Sequence, residues 1–156
     1  MYITELSSKK HFPIEILPIE SSDFKILTKS RYFFNWKEEK EFEIHKLKIK
    51  DHQEILGLVS FERYSEEWRI HIRLLTVSIE NRGIQKKYDR IAGNLIAFVA
   101  KIAVLDFGHL ACVSLKPKSS LSEFYIKKYN MRLTGATLSI EVPEIISFIN
   151  QYEGHE

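Results

Sequence analysis

Between Trp68 and Leu115 the apolar pattern changes period twice, and this constrains the fold more than any other feature of the chain. Trp68, Ile70, Ile72 and Leu74 alternate with Arg69, His71 and Arg73, the period of two that a strand with one covered face requires. The pattern turns apolar on both faces at Leu74, Leu75 and Val77, so this strand enters the middle of a layered core at its C-terminal end. From Ile91 the spacing becomes helical. Ile91, Leu95, Phe98, Ile102 and Leu105 form one stripe, and Ala92, Ile96, Val99 and Ala103 form a second beside it. Arg90, Asn94 and Lys101 fall on the opposite side, which predicts a helix buried along a broad face, with Asp89 as N-cap and Gly108 as C-cap. Leu110 to Leu115 then reads as a short apolar strand. Strand, buried helix and strand in succession imply a right-handed parallel β-α-β crossover.

The chain before this unit is strand-rich. The run FPIEILPIE alternates like a short strand, and Pro13 and Pro18 assign it to a sheet edge. Phe33 to Trp36 is aromatic and β-prone. Glu41 to Ile49 alternates, but its apolar phase slips between Ile44 and Leu47, which predicts a bulge. Asp51-His52-Gln53 is a turn and Ile55 to Phe61 the returning strand, so residues 42–61 form a hairpin. After the β-α-β unit, Ser120 to Lys128 reads as a short helix and Arg132 to Glu141 as a strand containing Gly135. Pro143 opens a last helix that runs to about Tyr152.

Composition limits the function classes. With 156 residues, 44% apolar and 28% charged, the chain is long enough for one globular domain over 1–156, and it is no disordered or low-complexity polymer. Lys and Arg number 23 against 21 Asp and Glu. A net charge of +2 is too small for bulk field to drive binding to nucleic acid or membrane, so any phosphate chemistry must come from local clustering. Cys112 is the single cysteine, which excludes an internal disulfide and suits a reducing, cytoplasmic setting of bacterial type. No stretch reads as the ~20 apolar residues that cross a bilayer, since Lys101 interrupts the best one. The six histidines form no HxxxH and no pairing with Cys112 at ligand spacing, so no metal site is expected.

One loop collects charge where an anion would bind. In ENRGIQKKYDRIAGN, Arg82, Lys86, Lys87 and Arg90 stand just ahead of a helix start. A helix start offers unbonded N–H groups and the positive end of the helix dipole. Basic side chains there add charge-assisted contacts to phosphate.

From LLTVS through KKYDRIAGNLIAFVAK, HLACVSL and LSEFYIKKYNM, the chain resembles the GNAT superfamily of acetyl-CoA-dependent N-acetyltransferases. The family's pyrophosphate loop, Arg/Gln-x-x-Gly-x-Gly/Ala, falls on Lys87-Tyr88-Asp89-Arg90-Ile91-Ala92, with Gly93 next in the chain. Its Phe-Tyr-x-x-x-Gly-Phe ending is met by the run from Phe124-Tyr125 to Met131. Arg90 replaces the first glycine of the loop, Asn130 replaces the late glycine, and Lys118 falls where many members have an asparagine near the cofactor. The resemblance implies an α/β fold with a mixed, largely antiparallel sheet, helices on both faces and a β-α-β CoA-binding core at about 68–131. It implies that residues 87–93 and Lys118 hold acetyl-CoA, that backbone groups of Leu75 and Val77 meet its pantetheine arm, and that no metal takes part. It also implies that Tyr125 protonates the departing thiolate; Glu80, at the end of the strand, is the candidate base.

The function expected is acetyl transfer to a small-molecule or peptide amine; a homodimer is compatible with it. Two alternatives stand beside it: an inactive CoA-binding relative, suggested by Arg90, and an interaction module using KSRYFFNWK, whose aromatics could stack on bases or pack on the sheet. His71 on a strand face and Cys112 in an apolar strand read as structural residues.

Overall fold

The structure, a computed structural model, describes residues 1–117 and 122–153. Its strands are β1 (Tyr2–Glu5), β2 (His11–Pro18), β3 (Glu43–Ile49), β4 (Gly57–Tyr64), β5 (Arg69–Val77), β6 (Tyr88–Asp89), β7 (Cys112–Leu115), β8 (Arg132–Thr134) and β9 (Thr137–Glu141). Its helices are α1 (Lys29–Tyr32), α2 (Ile91–Phe107), α3 (Ser122–Tyr129) and α4 (Glu144–Tyr152). The strands form one mixed, mostly antiparallel sheet in the order β6-β1-β2-β3-β4-β5-β7-β9-β8. Its β5–β7 pair is parallel, as the β-α-β pattern requires. The described residues divide into two compact units: Met1–Ser60 with Leu74–Leu95, and Phe61–Arg73 with residues 96–117 and 122–153.

In the first unit β2 is an interior strand, flanked by β1 and β3, and the edge assignment is overturned. Pro18 is the last residue of β2, and Pro13 forfeits only one ladder donor while its carbonyl accepts the Lys50 amide at 2.9 Å. The β3 bulge is also absent from its pairing with β2, which runs unbroken from Ile14↔Ile49 to Pro18↔His45. The phase slips because both faces of β3 are covered. Ile44 and Lys46 are buried on one side, Leu47 and Ile49 on the other. Lys46 is tolerated there because its Nζ lies 2.7 Å from the Asp23 carboxylate.

Phe33 to Trp36 is not a strand. Helix α1 ends in Phe33 at φ 70°, and Trp36–Glu39 forms a 3₁₀ turn. This spacing sends Tyr32 and Trp36 into one core with Leu27, Ile44, Ile55 and Leu58. Their polar atoms are satisfied inside it: Tyr32 Oη donates to Ile55 O at 2.8 Å, and Trp36 Nε1 to Tyr32 O at 3.1 Å. The hairpin over 42–61 is present as β3 and β4. Gly57 opens β4 under the start of α2, where a Cβ would come within 2.7 Å of Ile91 Cγ2 and 3.2 Å of Thr76 O.

Helix α2 buries Ile91 and Leu95 of the first apolar stripe and Ile96, Val99 and Ala103 of the second, with Ala97 and Ala100, the broad face expected, while Leu105 at the end of the first stripe is exposed. Asn94 is fully buried, against its assignment to the polar side. By length and composition Ile91–Leu110 is apolar enough to cross a bilayer, contrary to the sequence expectation, with half of the stretch buried inside the fold. Gly108 ends the helix at φ 61° as expected. The second unit pairs β7 with β9 antiparallel. The single strand expected over Arg132 to Glu141 is a hairpin instead, because Gly135 at φ 63° allows a tight turn between Thr134 and Thr137. Tyr129 meets Phe148 at a tilt, centroids 5.5 Å apart, and Phe148 stacks on Tyr152 at 5.2 Å, which ties α3 to α4.

Candidate active site

The expected anion loop is built against the N-terminal strand. β6 pairs with β1 through Thr4↔Asp89 and Glu5↔Tyr88, and Leu6 N donates to Lys87 O at 3.0 Å. Lys87 N donates to Glu80 O at 3.2 Å and Tyr88 N to Asn81 Oδ1 at 2.9 Å, so these amides serve the loop's own fold. Asp89 is not the N-cap; it lies in β6, and its carboxylate accepts Lys86 Nζ at 2.9 Å. The residue just before α2 is Arg90, at φ 80°. This left-handed backbone is the one glycine adopts freely, and it occurs where the family pattern has its first glycine.

Arg90 bears the cost of a Cβ there with contacts glycine could not make. Its guanidinium lies 4.2 Å from the centroid of the Tyr2 ring, and its Nε donates to Tyr2 O at 3.3 Å. Asn94 Nδ2 adds bonds to Tyr2 O at 2.8 Å and to Arg90 O at 2.7 Å. The Asn94 amide makes the first intrahelical bond, to Arg90 O at 3.1 Å. The N–H groups of Ile91, Ala92 and Gly93 thus stand ahead of the helical ladder, at the positive end of α2. Lys87 is exposed beside them, its Nζ 5.4 Å from the Tyr88 ring. Orphan amides, a helix dipole and flexible cations form a donor set that fits a diphosphate.

Leu75 and Val77 are half-buried on β5, with buried Thr76 between them. The register of β5 with β7 ends at Ile72↔Leu115, while β5 runs on to Val77. Glu80 comes next in a 3₁₀ turn, Ile79–Asn81, where its carboxylate accepts a hydrogen bond from Arg31; Arg31 Nη2 also bonds Glu54 at 2.6 Å. Burial pushes the Glu80 carboxyl up, but the Arg31 hydrogen bond, a backbone hydrogen bond and the Arg31 charge hold it at about 2. A carboxylate held so low is a fixed anion and a weak proton acceptor.

Tyr125 is half-buried on α3, its ring 5.8 Å from Phe124 and 5.6 Å from Tyr129. Asn130, where the family pattern has its late glycine, takes φ 56°, a left-handed backbone that asparagine tolerates. Five positions separate Tyr125 from Asn130, against four in the family pattern, so α3 carries one extra residue before its turn. Lys118 lies outside the described residues. Among the described residues no three His, Cys, Asp or Glu side chains gather to hold a metal ion.

The sequence reading missed one polar constellation in the second unit. His71 and Ser114 are register partners across β5 and β7, with Nδ1 and Oγ 2.8 Å apart. Arg69 Nη1 donates to the same Oγ at 2.8 Å and its guanidinium also grips Glu67. Burial, with the Arg69 charge, lowers the His71 pKa. The signal was the polar face Arg69-His71-Arg73 itself, but its partner on β7 needed the register. Burial, then the Glu141 charge, pushes the Cys112 thiol up, away from the thiolate a nucleophile needs. In KSRYFFNWK, Tyr32 and Trp36 are core residues and Phe33 lies under Arg82, 3.7 Å from its guanidinium. The packing role expected for these aromatics is the one observed.

No protein-family model and no curated protein matches the chain. Solved structures do. A chimera of the spermidine N-acetyltransferase SpeG from Vibrio cholerae and hSSAT matches with TM-score 0.62 at 10% identity, covering 86% of this chain and 98% of that one. A GNAT family acetyltransferase from Elizabethkingia anophelis, solved with acetyl-CoA bound, matches with TM-score 0.58 at 16% identity over 83% and 98%. A bacterial toxin matches with TM-score 0.62 at 11% identity over 93% and 99%. The chain has the fold of the GNAT acetyltransferases.

Proposed function

We propose that the protein transfers an acetyl group from acetyl-CoA to a primary amine. The observation that carries this reading is the backbone of Arg90. It is left-handed at the residue the family pattern fills with glycine, directly before a helix whose first amides await an acceptor. Lys87, Arg90 and the amides of Ile91, Ala92 and Gly93 would hold the diphosphate. Backbone groups of Leu75 and Val77, on the part of β5 beyond its pairing with β7, would meet the pantetheine amides. Acetyl-CoA supplies the activated acyl group as a thioester. The amine nitrogen forms the new bond to the carbonyl carbon, the carbon–sulfur bond breaks, and the sulfur takes up a proton for which Tyr125 is the donor. The ammonium proton passes to solvent water or to Glu80, whose carboxylate is ion-paired with Arg31.

The acceptor is a small amine or an amine on a peptide; the SpeG structures, named for spermidine, support the former class. The test is thermal unfolding with and without millimolar acetyl-CoA, then an amine screen read as release of free thiol. Ligand at 100 times its Kd adds about 2.7 kcal/mol and raises the midpoint by several degrees. An unchanged midpoint rejects the reading. A raised midpoint without turnover on any amine favours the inactive CoA-binding alternative, to which the Arg90 side chain lends support.

A further inference from the structure

A groove of about 480 Å³ opens in the first unit, lined by none of the residues assigned to acetyl-CoA or to acyl transfer. Its floor is apolar: Ile19 and Ile44, joined by the Ile19 N to Ile44 O bond at 3.0 Å, with the rings of Phe24 and Phe42. Its rim is cationic. Lys25 ends the 3₁₀ turn Ser21–Lys25, and Lys37 and Lys40 stand three residues apart on and just after Trp36–Glu39, so they share a side. Lys40 Nζ lies 5.5 Å from the Phe24 ring centroid.

The rim's charge is only partly compensated. Glu20 is the single acid lining the groove. Neighbouring Asp23 is consumed, its Oδ2 accepting Lys46 Nζ at 2.7 Å and the Glu20 amide at 2.8 Å. Glu39 is buried and accepts Ser60 Oγ at 2.8 Å, and Glu38 accepts Asn35 Nδ2 at 3.3 Å. Among the described residues none of the three lysines is ion-paired. Three lysines and one glutamate leave the lining with a net positive charge, which attracts an anion. Lysine binds such a head as a point charge, without the fork that would demand a planar partner. The volume falls within the ~300–1,000 Å³ of small-molecule sites.

We propose that this groove is a binding site for a small amphipathic carboxylate, its head between Lys25, Lys37 and Lys40 and its apolar body on Phe24 and Phe42. The site is separate from the acetyl-CoA reading and does not depend on it.

The test is an amide chemical-shift titration of the full chain with octanoate, in parallel with octanol, octylammonium and inorganic phosphate. Octanoate should give saturable shifts confined to residues 19–25 and 37–44. Octanol should bind at least tenfold more weakly and octylammonium not at all. The exposed double substitution Lys37→Gln, Lys40→Gln keeps the fold and should weaken octanoate at least tenfold, with the acetyl-CoA melting shift unchanged. Absence of saturable shifts, equal affinity for octanol, or undiminished affinity in the double variant overturns the proposal. Phosphate binding as tightly as octanoate overturns it too, since the apolar floor would then play no part.

Discussion

His71 Nδ1 lies 2.8 Å from Ser114 Oγ across the parallel β5–β7 pair, and a third residue, Arg69, bonds the same oxygen. Arg69 can only donate, and its Nη1 donates to Ser114 Oγ at 2.8 Å. Arg69 occupies one lone pair of Ser114 Oγ, which leaves the hydroxyl proton free to be donated to His71 Nδ1. Burial and the Arg69 charge lower the His71 pKa and favour the neutral ring, and donation from Ser114 to Nδ1 corresponds to its Nε2–H tautomer. Nitrogen chemical shifts at pH 7 should report that tautomer. A ring protonated at Nδ1 would contradict the Arg69 to Ser114 to His71 order.

The same relationship sets a pH dependence. The folded state disfavours the His71 proton, so the unfolded chain binds more protons between the folded pKa and about 6.5. Its contribution to stability is complete above about 6.5 and is lost as pH falls through that window. Urea midpoints should therefore drop on acidification, and the drop should be smaller in His71→Gln. Equal slopes in the two proteins would remove His71 as their source.

Arg90 offers a separation of backbone from side chain. Its φ of 80° costs any Cβ-bearing residue roughly 1 kcal/mol or more relative to glycine. Arg90→Ala keeps that cost and loses the contacts with Tyr2. Arg90→Gly loses the same contacts and removes the cost. The glycine variant should be more stable than the alanine variant by about 1 kcal/mol in urea unfolding. Equal stabilities would show that the left-handed turn before α2 does not persist in solution. If acetyl-CoA binds, a tighter complex with Arg90→Gly would mark the arginine as an obstruction, and a weaker one as a ligand.

Periodicity decides which elements were legible in the sequence. The β5–α2–β7 unit could be read because its apolar spacing matches one period at a time, and Gly108 because only its conformation suits that end. The interior place of β2 was hidden by Pro13 and Pro18, which each forfeit one donor yet leave the carbonyl side of the ladder intact. Both covered faces of β3 were hidden because Lys46 reads as polar until Asp23 is placed beside it. The loop was legible as a cation cluster, but its clamp was not. Tyr2 meets Arg90 and Asn94 across more than 85 positions of chain, and no local pattern encodes such a contact. Glu80 reads as a candidate base in the sequence, but its ion pair with Arg31, far upstream, could not be read there.

That Arg31 contact makes Glu80 a structural anion with a testable titration. Its folded pKa, about 2, lies below the ordinary value of 4.5. Its contribution to stability is present above that ordinary value and is lost as pH falls toward 2. Glu80→Gln should lower the unfolding midpoint at pH 7 and leave it nearly unchanged near pH 2. Any acid limb of a pH–rate profile between 5 and 7 should persist in Glu80→Gln, because wild-type Glu80 does not titrate there. A limb that disappears in the variant would restore Glu80 as the base.

Tyr125 and Tyr129 share α3, their rings 5.6 Å apart, and they divide the roles a tyrosine can have. Tyr129 is buried against Phe148, so its ring supports the packing of α3 on α4. Tyr125 is half-buried, and its hydroxyl is the one proposed as proton donor. Tyr125→Phe removes one hydroxyl and keeps the ring contacts with Phe124 and Tyr129. If Tyr125 is the acid, turnover should fall on the order of 10²-fold with the acetyl-CoA melting shift intact. Tyr129→Phe should instead leave turnover within about threefold and act, if at all, on stability, at about 1 kcal/mol. The extra residue in α3 makes this pair the decisive comparison. A turnover loss confined to Tyr129→Phe would show that the catalytic hydroxyl is the one nearer the Asn130 turn, and Tyr125 would leave the mechanism.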